Sequence, residues 1–243
     1  MEDWQFFDRV RLQELQDEEN ELFDRLAEKD ELPSFSMLPK LVLLDADKHA
    51  EKQALLADAF GDWNRYHYTS FVKSSGKYGR HQYEKMSEDV GHSPQEVQRY
   101  SEAFWTKAQD FLSPADYERH VKTIEKGEKR LEDIERLTRS TSRLVAMFRD
   151  PWEELTFRHI GNQGRLFNAI EDRYLLCLTH LHGYGNWDRV RSSIRRCERF
   201  RFNYYLLSCS AEALGKRCEA LMRAAEREVT EIDKKQQAVD SAH

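Results

Sequence analysis

Glycine and proline are scarce, ten and five residues in 243, while 34% of the side chains are charged. A chain with so few backbone breakers reads as mostly helical. No window of about eighteen apolar residues exists, which excludes a membrane-spanning helix. The opening residues, MEDWQFFDRV, hold neither the basic segment nor the apolar core of a secretory leader, so cytosol or nucleus is the expected compartment. The length predicts one or two ordinary domains that bury a core without disulfides.

Cysteine is equally sparse. Cys177, Cys197, Cys209 and Cys218 form no C-x-x-C pair, and in a reducing compartment they read as small buried apolar groups. His180 and His182 lie near Cys177, but residues two apart do not share a helix face and no second ligand pair follows, so no metal is expected. A G-x-x-x-x-G-K-[ST] phosphate loop is missing too. The nearest string, FVKSSGKY (71–78), lacks the first glycine and the final hydroxyl. With no nucleophile beside a partnered base either, the chain is not expected to be an enzyme, and no cofactor or small-molecule substrate is implied.

Excess positive charge is absent overall: the net charge is −6 and the pI near 5.9. That argues against a uniformly basic nucleic-acid binder and makes the distribution matter. Residues 1–60 carry 7 basic and 16 acidic side chains, whereas residues 156–227 carry 13 and 7, the only positive segment.

What is present is helical periodicity. Leu12, Leu15, Leu22 and Leu26, with Phe6, Phe7 and Phe23 beside them, form an amphipathic stripe; Pro33 and Pro39 break it, and a second helix is predicted from about Asp45 to Phe60. Residues 63–105 predict three short helices. Tyr68, Phe71 and Val72 mark the first, with Trp63 just upstream as a core aromatic. KYGRH (77–81) turns the chain, using a positive φ at Gly79, and a second helix follows from about Gln82 to Val90. SPQE (93–96) opens the third with a capping box, and Val97, Tyr100 and Phe104 give it a buried face. From about Pro114 to Phe148 one long, charged helix is expected, on the order of 50 Å at 1.5 Å per residue, a spacer rather than part of a core.

Residues 165–227 repeat the plan. Ile170, Tyr174, Leu175 and Leu178 mark a first helix, GYGNW (183–187) a turn anchored by Trp187, and Val190 with Ile194 a second helix. An insert, CERFRFNYYLLSCS (197–210), precedes a third helix with Leu214, Cys218, Leu221 and Ala225 at core period. KYGRH and GYGNW occupy the same place in their units, offset by 106 residues, an internal repeat.

A three-helix unit with spaced aromatics and a glycine turn resembles a Myb-type SANT repeat, and the pair joined by a long helix resembles the HAND-SANT-SLIDE region of ISWI-type chromatin remodellers. The blocks that carry the resemblance are DWQFFDRVRLQEL (3–15), DWNRYHYTSFVKSSGKYGR (62–80), IEKGEKRLEDIE (124–135), DPWEELTFRHIGNQGRLFNAIEDRYLLCLTHLHGYGNWDRV (150–190) and FRFNYYLLSCSAEALGKRCEALMRAAEREV (200–229). It implies an all-α fold: an irregular helical HAND unit (1–60), SANT (61–110), a spacer helix (111–149), SLIDE (150–229) and a disordered tail (230–243). It also implies a nuclear module, lying C-terminal to a SNF2-type ATPase motor absent from this chain, that engages double-stranded linker DNA beside a nucleosome and couples linker length to sliding.

The expected DNA contacts are Arg191, Arg195 and Arg196 after the turn, Arg201 in the insert, and Lys216, Arg217 and Arg223 on the third helix of SLIDE. Such contacts would be to phosphates and largely independent of sequence. Arg199 is a further insert cation, and Arg201, flanked by aromatics, is open to a second reading as a cation packed on a ring. The SANT third helix exposes Gln95, Glu96, Arg99 and Glu102, a poor phosphate surface, which leaves a contact to a histone segment or accessory subunit open. Where the family has a basic pair in a K-S-R string, this chain has Leu207, Ser208 and Cys209, with Glu212 nearby, so two implied phosphate contacts are missing. The competing reading is a protein-interaction scaffold in which DNA is secondary.

Overall fold

The computed structural model describes residues 2–29, 42–157 and 167–240. Pro33, Pro39 and the stretch 158–166 lie outside the described residues. No strand occurs among those described, and no helix is long and apolar enough to cross a membrane. The chain divides into two compact units, residues 1–129 and 130–243.

In the first unit a 3-10 turn (Asp3–Gln5) leads through Phe6 into α1 (Arg9–Glu28), and α2 (Ala46–Asp58) follows. Asp8 and Asp45 cap them by accepting from the Arg11 and Lys48 amides. The two helices face each other through Arg11–Glu51 at 2.7 Å, Lys52–Glu19 at 2.5 Å and Lys48–Glu18. Of the leucine stripe, Leu12 and Leu15 are buried while Leu22 and Leu26 are only half-buried. Phe6 adopts φ 56°, uncommon for a residue with a Cβ, and is held there by its ring, which packs against Phe60, Tyr100 and Phe111. The N-terminal segment therefore shares the core of the helices that follow, and among the described residues a small cluster of Phe7, Leu12 and Ala59 is its own.

Those helices are α3 (Arg65–Tyr78), α4 (Tyr83–Val90) and α5 (Pro94–Phe111). Asn64 and Ser93 form the capping boxes of α3 and α5. Trp63, 1% exposed, stacks flat on Tyr100 with centroids 3.6 Å apart, and Phe71, Val97 and Phe104 close around them. α6 (Pro114–Ala146) then packs its first half here. A Cβ at Gly127 would lie 1.9 Å from the Gly76 carbonyl oxygen, so the backbones of α3 and α6 touch where only glycine fits. Ile124 is fully buried beside that contact. The spacer expected to stand apart from any core is thus built into this one.

In the second unit the end of α6 contributes Leu137, Leu144 and Val145 to a core shared with α7 (Pro151–Glu154), α8 (Ala169–His182), α9 (Trp187–Arg196), a 3-10 turn (Glu198–Phe200), α10 (Tyr204–Ser208) and α11 (Ala211–Asp240). Leu175, Val190, Ile194, Leu214, Cys218 and Leu221 are fully buried, whereas Ile170 is 39% exposed. Ile170 sits in the first turn of α8, and the residues that turn buries are Glu171 and Asp172. Trp187 lies on Gly215, where a Cβ would come within 2.8 Å of its ring. The segment expected to be a disordered tail continues α11 to Asp240, fastened to α6 by Arg143–Asp233 and, a few turns earlier, by Arg136–Glu226 at 2.6 Å.

Helix caps fix the register of the internal repeat. The capping boxes at Asn64 and Asn168 start α3 and α8, and Gly79 and Gly183 end them with φ/ψ of 90°/155° and 82°/156°. Gly79 therefore corresponds to Gly183, an offset of 104 rather than 106, and the same step carries buried Phe71, Met86 and Val90 onto Leu175, Val190 and Ile194. Beyond the insert, Ser93 and Ser210 cap the third helices, and Val97, Ser101, Phe104 and Ala108 correspond to Leu214, Cys218, Leu221 and Ala225.

Candidate nucleic-acid interface

α9 is amphipathic in the simplest way. Val190 and Ile194 are fully buried, and at 3.6 residues per turn the opposite face is Asp188, Arg189, Ser192, Arg195 and Arg196, all exposed. The guanidiniums of Arg189 and Arg196 have no hydrogen-bond or ion-pair partner among the described residues. Arg195 donates from Nε and Nη2 to the Leu207 carbonyl at 3.3 and 3.2 Å, which caps the end of α10 and leaves its charge unneutralised. Arg191 turns toward the core side. It is half-buried, and its Nε is sealed from solvent without a hydrogen-bond partner. Arg191 therefore belongs to the flank of this face.

The insert adds Arg201, exposed and lying 5.0 Å over the ring of Phe202, itself 75% exposed. Both readings of Arg201 meet in this geometry, since the ring orients the guanidinium at the surface. Arg199 is engaged elsewhere, paired with Glu153 at 2.6 Å and lying over Tyr174. On α11, Lys216 pairs with Glu212 at 2.6 Å, both exposed, and exposed Arg223 lies 3.8 Å from half-buried Glu219, each as i,i+4 neighbours. Such pairs contribute little and open readily to a polyanion.

Arg217 is put to another use. Its Nε and Nη2 donate to the two carboxylate oxygens of Asp172 at 2.7 and 2.6 Å, and its guanidinium lies over Phe167. The Asp172 side chain is only 5% exposed, so Arg217 is the counterion of a buried carboxylate and ties α11 to α8. The phosphate contact expected of Arg217 would have to compete with this pair. Arg189, which the sequence reading passed over, is exposed on the same helix face as Arg196, as its place seven residues earlier already implied.

Leu207 and Cys209, at the positions where the K-S-R string was expected, pack against the core of this unit, and Cys209 is 8% exposed. Glu212 pairs with Lys216 and is held below the ordinary carboxylate range by that hydrogen bond. The residues considered for a metal diverge. Cys177 points its thiol at the Pro151 carbonyl, and burial pushes it up to about 11; His180 meets Ser142 and His182 meets Ser193. In the first unit Asp62, His92 and Glu96 converge, with Glu96 occupied by the Ser93 amide and hydroxyl.

The equivalent face of the first unit has the opposite character. At the 104-residue offset, Asp188, Arg189, Ser192 and Arg196 correspond to Glu84, Lys85, Glu88 and His92. The third helix there has two basic residues: Arg99 donates to the Ala57 and Ala59 carbonyls and lies over Phe60, and Lys107 pairs with Asp58 at 2.5 Å. One helical plan thus presents a basic surface in one copy and an acidic one in the other.

Comparison with known proteins agrees with this architecture. The family described as SLIDE matches residues 118–229. The chain is 31% identical over 237 residues to a probable chromatin-remodeling complex ATPase chain of Oryza sativa, covering 97% of this chain and 21% of that protein. It is 31% identical over 239 residues to the ISWI chromatin-remodeling complex ATPase CHR17 of Arabidopsis thaliana, covering 96% and 22%. A human relative, a SWI/SNF-related matrix-associated actin-dependent regulator of chromatin, is 28% identical over 199 residues, 80% of this chain and 19% of its own length. The chain therefore spans about one fifth of these relatives. Residues 118–229 match the SLIDE family, and the likeness to ISWI chromatin-remodeling ATPases over most of the chain supports an ISWI HAND-SANT-SLIDE region.

Proposed function

We propose that this chain is a nuclear, largely sequence-independent binder of double-stranded linker DNA beside a nucleosome, which helps an ISWI-type motor couple linker length to sliding. The observation that carries this reading is the outer face of α9 with the adjoining insert. Arg189, Arg195, Arg196 and Arg201 project from short, well-anchored elements with no carboxylate pairing them among the described residues. Guanidinium groups so placed suit phosphate oxygens, which fix position without reading bases. Lys216 and Arg223 add weaker contacts from α11.

The second reading, a scaffold for a histone segment or accessory subunit, draws on the acidic composition of residues 1–60 and on Glu84 and Glu88 of α4. It fits the first unit better than the second. Capture of nucleosomes with and without linker DNA separates the two. The DNA reading expects a clear preference for linker-bearing particles, and equal capture would favour the scaffold.

A further inference from the structure

We propose that Ser192 is a phosphorylation site that switches off the basic face of α9. The inference rests on the DNA-binding reading above and adds a regulatory residue to it. The segment RVRSSIRR (189–196) offers two serines to an arginine-directed kinase, with basic residues on both sides. Sequence does not choose between them, whereas the structure does. Ser193 turns its hydroxyl to His182 Nε2 at 2.8 Å and is half-buried. Ser192 is exposed, its hydroxyl has no hydrogen bond among the described residues, and it stands at the point of α9 farthest from buried Val190 and Ile194.

Its neighbours on that face are Arg189, three residues before, and Arg196, four residues after, the two guanidiniums without partners among the described residues. Both spacings bring side chains together on a helix. A phosphoserine carries about −1.5 to −2 charges and three acceptor oxygens, enough to engage both arginines. The same group that adds repulsion toward DNA thus also removes two of its contacts. The fold tolerates an acid at this point, because the corresponding residue of the first unit is Glu88, exposed on α4. Accessibility to a kinase groove, which takes extended chain, requires α9 to open locally; the helix is 10 residues long and Asn186 gives its N-terminus no side-chain cap.

The chemistry is transfer of the γ-phosphoryl group of ATP. A base of the kinase takes the Ser192 hydroxyl proton, an Oγ–P bond forms, and the bond from phosphorus to the ADP oxygen breaks.

The test treats the folded chain with ATP and the catalytic subunit of cAMP-dependent kinase, maps the product by mass spectrometry, and titrates duplex DNA against salt before and after. The expected result is one phosphate on Ser192, retained in Ser193→Ala and lost in Ser192→Ala. Duplex affinity should fall roughly tenfold, with a salt slope shallower by about two, the loss of two phosphate contacts. Modification at Ser193 instead, or no modification of the folded chain, overturns the site. Full phosphorylation of Ser192 with unchanged affinity overturns the switch, provided that Arg189→Ala/Arg196→Ala weakens binding. If that double variant binds like the unaltered chain, the DNA reading of the face fails, and the mapping result alone decides whether Ser192 is a site.

Discussion

Arg217 and Asp172 join in a two-point ion pair at the places that Tyr100 and Tyr68 hold in the first unit. Where one repeat closes its helices with aromatic rings, the other closes them with a buried carboxylate and its counterion. Removing one partner leaves an unpaired charge in a dry site, which is costlier than removing both. Arg217→Ala is expected to destabilise the second unit by about 3 kcal/mol, while Arg217→Met combined with Asp172→Leu recovers most of that loss. Chemical denaturation of the single and double variants checks this. A weakening of DNA binding by Arg217→Ala without loss of stability would restore Arg217 to the interface.

The contact between Gly76 and Gly127 leaves no room for a methyl group. Gly127→Ala should force α6 away from α3 and lower stability by about 3 kcal/mol, the upper end of the usual cost of overpacking. Gly91→Ala offers a comparison. It too would be strained, by its φ of 88°, but it meets nothing within 4 Å and should cost about 1 kcal/mol. Thermal melting of both variants gives the order.

Arg80, in the glycine turn of the first unit, reaches Glu128 on α6 with hydrogen bonds of 2.7 and 2.6 Å and lies over Trp105. The Arg80 hydrogen bond holds the Glu128 carboxyl below its ordinary value of 4.5. A depressed carboxylate stabilises in full above its unfolded value and loses that contribution as pH falls through the folded one. Melting temperature should therefore decline below about pH 4.5 more steeply in the parent chain than in Glu128→Gln.

Thiol chemistry should single out Cys197. Burial pushes Cys177 and Cys218 up to about 11, and Cys209 is also buried, whereas Cys197 is partly exposed after α9. Alkylation of the native chain at neutral pH, followed by peptide mapping, should label Cys197 well ahead of the other three. Similar rates at all four would mean that the core of the second unit opens readily.

Much of the fold is legible in the sequence because its signals are local. SPQE predicts a capping box that Ser93 and Glu96 make, and the spacing of Val97, Tyr100 and Phe104 predicts a face that is fully buried. What escapes is settled by partners distant in sequence. Two glycines in GYGNW both take positive φ, and only the helix end shows that Gly183, not Gly185, matches Gly79. Arg217 and Arg189 look alike as letters in a basic segment, yet one faces Asp172, 45 residues away, and the other faces solvent. A hydrophobic pattern likewise marks Ile170 as core, because it cannot foresee that the first turn of α8 buries acids.

The central claim is that the outer face of α9 and the insert hold the DNA backbone. Its most direct test is the affinity of a fluorescent duplex measured against salt for the parent chain and for Arg189→Ala/Arg196→Ala/Arg201→Ala. All three side chains are exposed and free of ion pairs among the described residues, so the fold should persist. The expected result is an unchanged melting temperature, weaker binding, and a log–log salt slope shallower by about 0.9 for each arginine removed. A triple variant that keeps the parent affinity and slope, or a parent chain whose binding ignores salt, would contradict it.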